Sequence, residues 1–549
     1  MTSISSATIS LSCPLWACDF DPEDPSILVV GGGGGSSNTG LGNKLSILEL
    51  VNQTEISKIG EFELKKNEDN ISTLAVGPHK AQKLSIYAGA NSTPEDLKKG
   101  TNQHFRVFSA DLSQRPVVVS EVSRAALFQH QQNDVDTYQR LLRLSQPQTP
   151  GEKRASTRLG AVATGFGKQS QIALFTAPSN PGAPVRQPRA RIEVTKEAVD
   201  LDVVQTGPDD FQLAYCDRSD LFTVSISPNK VSERQHRYST EQGTGPAGAR
   251  SIFKNLRYLT SESVLAIANR ADRKGSVLLA FRVPPPSAAD QDARVSIRKT
   301  LPSGVVATGM AIRVLSPASS WTGPQRDTQF IIAISSNDNS ILIYTLDMKS
   351  SSSSSGALAD LRLCRSIKAV HSTMITALSF STVQTNHEEG TPDSSSAPTP
   401  HVKLASVSMG QQVVVHSIPL RRLDYKPTSA SVASVVRYTV ALKPGGDSHR
   451  PRLWVFILLT AALIPLFSAL IGPLTTNADN EPGFRVHLLR FDFLRGKSER
   501  GWLDDRPVDS VFVDSTLGAT ADATSIHNSH ATATHEEPEH FPLGTDSGE

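Results

Sequence analysis

The chain has 549 residues, with 55 Lys and Arg against 54 Asp and Glu and 38% apolar residues, enough to bury a large core. Its 36 Gly and 34 Pro are an ordinary share, which excludes a collagen-like or wholly disordered polymer. A formal net charge of +1 offers no basic face, so no nucleic-acid partner is expected.

Short apolar or β-branched runs, separated by polar turns, recur through the first 450 or so residues and read as strands. They fall into seven groups. Ile27–Val30 with Leu45–Val51 makes the first; Ile71–Val76, Leu84–Ala88 and His104–Phe108 the second; Leu159–Thr164 with Ile172–Thr176 the third. Val199–Val204, Phe211–Tyr215 and Leu221–Ile226 form the fourth, and Val264–Ala268 with Ser276–Phe281 the fifth. The sixth holds Val306–Ile312, Phe330–Ile334 and Ile341–Leu346; the seventh holds Ile375–Phe380, Val402–Val407 and Val413–His416. Two to four short strands every 45 to 70 residues or so is the blade period of a β-propeller. The expected fold is therefore all-β, a seven-bladed propeller over residues 1–445 with degenerate WD repeats. The best WD remnant is the last group, where Val370-His371 leads into Met374–Phe380 and then Lys403–Val415, without an Asp near Gly410.

Residues 121–145 fit a short amphipathic helix, through Val135, Tyr138, Leu141, Leu142 and Leu144, about as well as a strand. Polar, biased stretches near 146–157, 178–188, 350–356 and 386–400 read as loop insertions. The run Val435–Leu442 is expected to return to the N-terminal blade and close the ring, leaving no free sheet edge.

Beyond a basic linker at 446–452, the stretch 453–474 is 22 residues without a charge, about 33 Å of helix at 1.5 Å per residue, and predicts one transmembrane helix. Arg437, Lys443, Arg450 and Arg452 precede it, whereas only Arg485 and Arg490 lie in the 20 residues after it, so the N-terminal side is expected in the cytosol. Residues 1–10 lack the pattern of a secretory signal, and a single uncleaved signal-anchor is the economical topology. The tail 475–549 is polar; His527, His530, His535 and His540 are irregularly spaced and favour a solvated segment over a metal site. Cys13, Cys18, Cys216 and Cys364 form no C-x-x-C pair and read as reduced, buried thiols.

One local sequence stands out: the glycine-rich stretch from Val29 to Leu50, with seven glycines between Gly31 and Gly42. A phosphate-binding loop fails on spacing, because Leu41 stands where G-x-x-x-x-G-K requires Lys and the alternating strand Lys44–Leu50 follows instead of a helix. A bare hairpin loop of this composition loses much conformational entropy on ordering. Main-chain carbonyls of such a loop can converge on a hard cation, and with no carboxylate between Val29 and Ile47 the natural candidate is potassium.

Gly32–Gly35, Ser36–Gly40 and Leu41–Leu45 together resemble the N-terminal loop of the endoplasmic-reticulum guanine nucleotide exchange factors for the Sar-type small GTPase. The resemblance implies a cytosolic propeller, one membrane helix and a lumenal tail, with COPII coat machinery nearby. It implies Asn43 as the exchange-critical asparagine, Leu41 as the aliphatic residue two places before it, and a loop organised by potassium in which Gly40 matches a glycine of the turn. Gly42 departs from the proline common at that place. Lys44, opening an exposed strand, is expected to be solvated only. An exchange factor needs no acid, base or nucleophile; it must bind the nucleotide-free GTPase better than the loaded one. Two other readings stand beside it: a propeller scaffold that binds the GTPase or coat subunits without exchange, and a receptor whose lumenal tail carries the function.

Overall fold

The computed structural model describes residues 4–442 except 38–39, 130–132, 147–157, 242–249, 273, 286–287, 289–290, 317–326, 351–355, 385–398 and 426–434. The expected linker, transmembrane helix and tail, and most of three of the four insertions, lie outside the described residues. Among the described residues no helix is long and apolar enough to cross a membrane.

Seven antiparallel sheets form a seven-bladed β-propeller. Strand β1 (Ser5–Ser10) belongs to the last blade. Blade 1 is β2 (Leu15–Phe20), β3 (Ile27–Gly32), β4 (Lys44–Leu50) and β5 (Ile56–Glu63). Blade 2 is β6 (Thr73–Lys80), β7 (Lys83–Gly89), β8 (Phe105–Asp111) and β9 (Val118–Ala125), with helix α1 (Pro94–Lys99) between β7 and β8. Blade 3 is β10 (Tyr138–Leu144), β11 (Arg158–Gly165), β12 (Ser170–Ala177) and β13 (Ala190–Val194). Blade 4 is β14 (Asp200–Gln205), β15 (Phe211–Cys216) and β16 (Asp220–Ser227), edged by β17 (Lys230–Val231) and β18 (Gln235–Ser239). Blade 5 is β19 (Ile252–Thr260), β20 (Ser263–Asn269), β21 (Ser276–Arg282) and β22 (Arg294–Thr300); blade 6 is β23 (Ala307–Val314), β24 (Thr328–Ser336), β25 (Ile341–Lys349) and β26 (Ala357–Ile367). Blade 7 is β27 (Ile375–Phe380), β28 (His401–Ser408) and β29 (Gln412–Tyr425), completed by β1.

The ring is closed from the other end of the chain than the sequence suggests. Strand β1 pairs with β29 from Ser5 opposite Ser417 to Ser10 opposite Gln412, which makes the N-terminus the outer strand of blade 7. The run at 435–442 supplies β30 (Val435–Val440), which pairs only with the far end of β29, Leu420 to Tyr425. The Ala7 side chain of β1 is buried in the core between blades 7 and 1, so this closure buries apolar surface as well as capping an edge. Residues 138–144, undecided between helix and strand, form β10, the innermost strand of blade 3. The WD remnant is realised in part: the buried His371 ring bonds the Ser406 hydroxyl at 2.8 Å.

Apolar residues of neighbouring blades interdigitate. Ile47 and Leu45 of blade 1 pack with Ile86, Leu84 and Phe108 of blade 2 in one cluster. All four cysteines are free and buried, and burial pushes each thiol up.

Candidate functional site

The 33–43 loop joins β3 to β4 on one face of the propeller. The connection from blade 1 to blade 2, residues 64–72, lies beside it. Three glycines of the loop have left-handed backbone, Gly33 (φ 149°), Gly35 (φ 86°) and Gly40 (φ 75°). At Gly33 a Cβ atom would also stand 1.9 Å from the Asn43 side-chain oxygen, so the position admits glycine alone. The Gly33 amide donates to Pro14 O at 2.9 Å, and the Trp16 indole N–H donates back to Gly33 O at 3.2 Å, which ties the loop to the start of β2.

Asn43 is buried beneath the loop and not displayed on its surface. It is 7% exposed and directs both amide donors and its carbonyl oxygen to backbone groups of the loop and of the 64–72 connection. Its amide donates to Gly35 O at 3.1 Å and to Glu68 O at 2.7 Å, and its oxygen accepts from Gly35 N at 3.0 Å. Leu41, by contrast, is 38% exposed. Gly40 has open space where a side chain would point, whereas a Cβ on Gly42 would meet Glu63 Oε1 at 2.5 Å. Lys44 is half-buried and paired, with Glu61 at 2.9 Å and Glu63 at 3.6 Å, which corrects the expectation of a merely solvated lysine. The Glu61 hydrogen bond holds its ammonium above the ordinary value.

Two acidic residues of the 64–72 connection complete the site, and sequence reading missed both. Glu68 is 3% exposed in its side chain and meets Arg106, itself fully buried, at 3.3 Å, as well as Arg124; Glu121 bonds the same two arginines. This ionic cluster anchors the segment whose Glu68 carbonyl receives Asn43. Asp69 accepts from the backbone N–H of Asn70 and of Ser36, and burial pushes its carboxyl up. Its oxygen lies 3.3 Å from where a Gly35 Cβ would stand, so a carboxylate does line the loop, delivered by a contact between segments some thirty residues apart.

A cation held by carbonyls of Gly31–Gly42 has to use the part of the stretch outside the sheet. Gly31 and Gly32 lie in β3, paired on both sides. Gly33 O and Gly35 O each already accept one hydrogen bond, leaving one lone pair apiece. With the Asp69 carboxylate beside them, these oxygens suit a hard cation of low charge. Among the described residues no cluster of His, Cys, Asp and Glu suits a transition metal.

The face around the loop carries further exposed apolar side chains. Met374, before β27, and Met409, in the β28–β29 turn, are 49% and 42% exposed on blade 7, which adjoins blade 1. Phe166, in the β11–β12 turn, is 73% exposed at φ 57° and packs against Tyr138.

No family model matches the chain, and no curated protein matches it by sequence. Solved structures do. Saccharomyces cerevisiae Sqt1 aligns over 76% of this chain and all of its own, with 9% identity and a TM-score of 0.41. Chaetomium thermophilum Sqt1 bound to the N-terminus of ribosomal protein L10 aligns over 75% and 98%, with 13% identity and a TM-score of 0.40. A chain of the COPII outer coat vertex on membranes aligns over 78% and 89%, with 12% identity and a TM-score of 0.40. Likeness at this level does not distinguish one propeller's role from another's. What the sheets themselves define is an all-β, seven-bladed β-propeller.

Proposed function

We propose that this chain is a guanine nucleotide exchange factor for a Sar-type small GTPase, anchored in the endoplasmic-reticulum membrane by residues 453–474 with the propeller cytosolic, where it initiates COPII coat assembly. The observation that carries the reading is the 33–43 loop, fixed from within by Asn43 while Leu41 stands at the surface. Ordering such a loop costs about 1 to 2 kcal/mol per residue in backbone entropy, offset here by the bonds to Trp16, Asn43 and the 64–72 connection. A pre-ordered loop has that cost behind it when the partner arrives, and an aliphatic wedge on it can act on the nucleotide site of a GTPase.

In this reading Leu41 makes the contact and Asn43 holds the loop in shape. Accelerating GDP release a thousandfold needs about 4 kcal/mol of preference for the nucleotide-free partner. The carbonyl oxygens of Gly33 and Gly35, with Asp69 beside them, are the groups that would hold a potassium ion, whose positive charge would stiffen the loop. One observation favours the second reading, a scaffold without exchange: the Asn43 amide is fully engaged and leaves no donor for a partner.

The test is release of a fluorescent GDP from the Sar-type GTPase by the full chain in detergent micelles. Wild type accelerates release, and Leu41→Ala slows it about 5- to 30-fold, the equivalent of 1 to 2 kcal/mol of lost contact. Wild type that binds the GTPase without accelerating release establishes the scaffold instead. Equal rates in potassium and lithium buffers remove the cation from the account.

A further inference from the structure

The innermost strands β2, β6, β10, β14, β19, β23 and β27 ring the propeller axis. They enclose a cavity of about 190 Å³ lined by Arg143, Arg158, Arg257 and Arg313 against Asp19 and Asp202. The cavity occupies the half of the channel remote from the glycine loop, since its lining comes from the second halves of β2, β10, β19, β23 and β27 and from Asp21, Pro22, Gln146 and Thr382 just beyond the innermost strands. The two faces of the molecule are thus chemically separate.

The charges in this cavity do not cancel in contact. Asp200, behind the lining, takes Arg257 and, at 3.4 Å, Arg143, which pull its carboxyl below the usual range despite its burial. Asp21 is committed to His79 at 2.7 Å. Asp19 accepts from the N–H groups of Phe20 and Val76 and from the Ser379 hydroxyl, and Asp202 accepts from the N–H groups of Val203 and Tyr258. Among the described residues Arg158 and Arg313 have no carboxylate within ion-pair distance. Arg158 donates to Ser145 O at 2.8 Å and Val76 O at 3.4 Å, and Arg313 only to the Gln146 side chain at 3.4 Å. Arg143 Nε is buried without a hydrogen-bond partner. Burial lowers all three guanidinium pKa values, Arg313 to about 10 with the Arg158 charge adding to the effect, yet each stays cationic at neutral pH.

Two cations facing one cavity that share only the distant Asp19 carboxylate are costly, and one dianion reaching both offsets them together. Guanidinium forks match the oxygens of a tetrahedral oxyanion in pairs, and the cavity takes one such group with several waters. We propose that the half of the central channel remote from the glycine loop is a binding site for a phosphate group, with Arg158 and Arg313 as its charged donors and Arg143 beside them. The group belongs to free phosphate or a phosphate monoester on a lipid headgroup. β29 starts from its turn on the glycine-loop face and runs past β28 on the cavity's face, where it pairs with β30.

The experiment follows thermal unfolding of the full chain in phosphate-free buffer at fixed ionic strength. Inorganic phosphate is expected to raise Tm in proportion to the logarithm of its concentration and to titrate at one per chain by calorimetry. Arg158→Gln and Arg313→Gln are each expected to abolish the phosphate-dependent rise while melting, without phosphate, no lower than wild type, because each removes a charge that no described carboxylate contacts. Arg313→Lys retains a weakened rise. A water-soluble, short-chain phosphatidylinositol 4-phosphate that shifts Tm when inorganic phosphate does not identifies a headgroup; a shift by both identifies the phosphate group alone. The proposal is overturned if neither probe shifts wild type, if sodium chloride at equal ionic strength reproduces the shift, if both Gln variants keep it, or if both Gln variants melt well below wild type in the absence of phosphate.

Discussion

An asparagine side chain has two N–H donors and one carbonyl acceptor, and in Asn43 all three functions are met by backbone groups at 2.7 to 3.1 Å. Asn43→Ala leaves Gly35 N–H, Gly35 C=O and Glu68 C=O without their partner, and orphaning buried polar groups costs about 1 to 3 kcal/mol. A measurable fall in Tm is therefore expected for Asn43→Ala, together with reduced exchange, whereas Leu41→Ala leaves Tm unchanged. Denaturant melts of the two variants check this; an Asn43→Ala protein as stable as wild type contradicts the clasp. One layer further in, Glu68 lies between Arg106 and Arg124 at 3% exposure. Removing its charge leaves Arg106, fully buried, with Glu121 alone, and breaking such a pair costs about 3 to 5 kcal/mol. Glu68→Gln is expected to lower stability by about that much, read as a lower urea midpoint at constant m-value. The sequence displayed Asn43 and Leu41 but not this support. Glu68 and Asp69 lie over twenty residues from the loop, and only the packing of one inter-blade connection against the neighbouring hairpin brings them to it.

At the scale of strands, legibility follows what each strand faces. β7, β15, β20 and β24 are buried on both sides between blades, so they read as mostly apolar runs with few polar interruptions, such as Ser85 and Gln212. Some innermost strands turn side chains into the polar channel, and their pattern breaks. β19 carries Lys254, Asn255 and Arg257 and went unread, while β10, with Arg140 and Arg143, passed equally well for a helix. Outer strands such as β22 are largely exposed and carry little apolar signal. The mistaken closure has a similar cause: β1, SSATIS, is a polar run that becomes a strand because β29 offers it an edge. Blade 7, which that strand completes, is also the place where acid should act first. Burial lowers the pKa of His371 and takes that of His416 down to about 4, with the neighbouring His371 adding to the effect. A histidine that binds its proton less readily folded than unfolded contributes stability above its unfolded value, near 6.5, that is lost as pH falls toward 4. For His416 the gap amounts to roughly 3 kcal/mol. His79 works in the opposite sense: its hydrogen bond to Asp21 raises its pKa, so its contribution is full below 6.5 and fades as pH rises through the folded value. Urea midpoints are expected to fall between pH 6.5 and 4, with a shallower slope in His416→Gln; an unchanged slope removes His416 as the cause.

For the molecule as a whole, the two faces of the ring have separate chemistry, and which compartment they meet decides whether either is used. In the proposed topology the more basic flank of 453–474 keeps the propeller in the cytosol, where a small GTPase could reach Leu41. The chain has three N-x-[ST] sequences, at Asn52, Asn70 and Asn91, all within the propeller. Folding makes them unequal. Asn91 is 7% exposed and bonds Thr137 O and the Asn102 amide, while the Thr93 that completes its sequence caps α1. Asn52, between β4 and β5, is exposed and open to modification. A lumenal propeller would therefore carry sugar at Asn52 first. The full chain expressed in cells is expected to show no change in gel mobility on glycosidase treatment, with Asn52→Gln migrating like wild type. A glycosidase-sensitive band that Asn52→Gln removes places the propeller in the lumen. The exchange reading then fails with the topology, because a cytosolic GTPase never meets the loop, while phosphate binding in the channel, measured on purified protein, stands or falls separately.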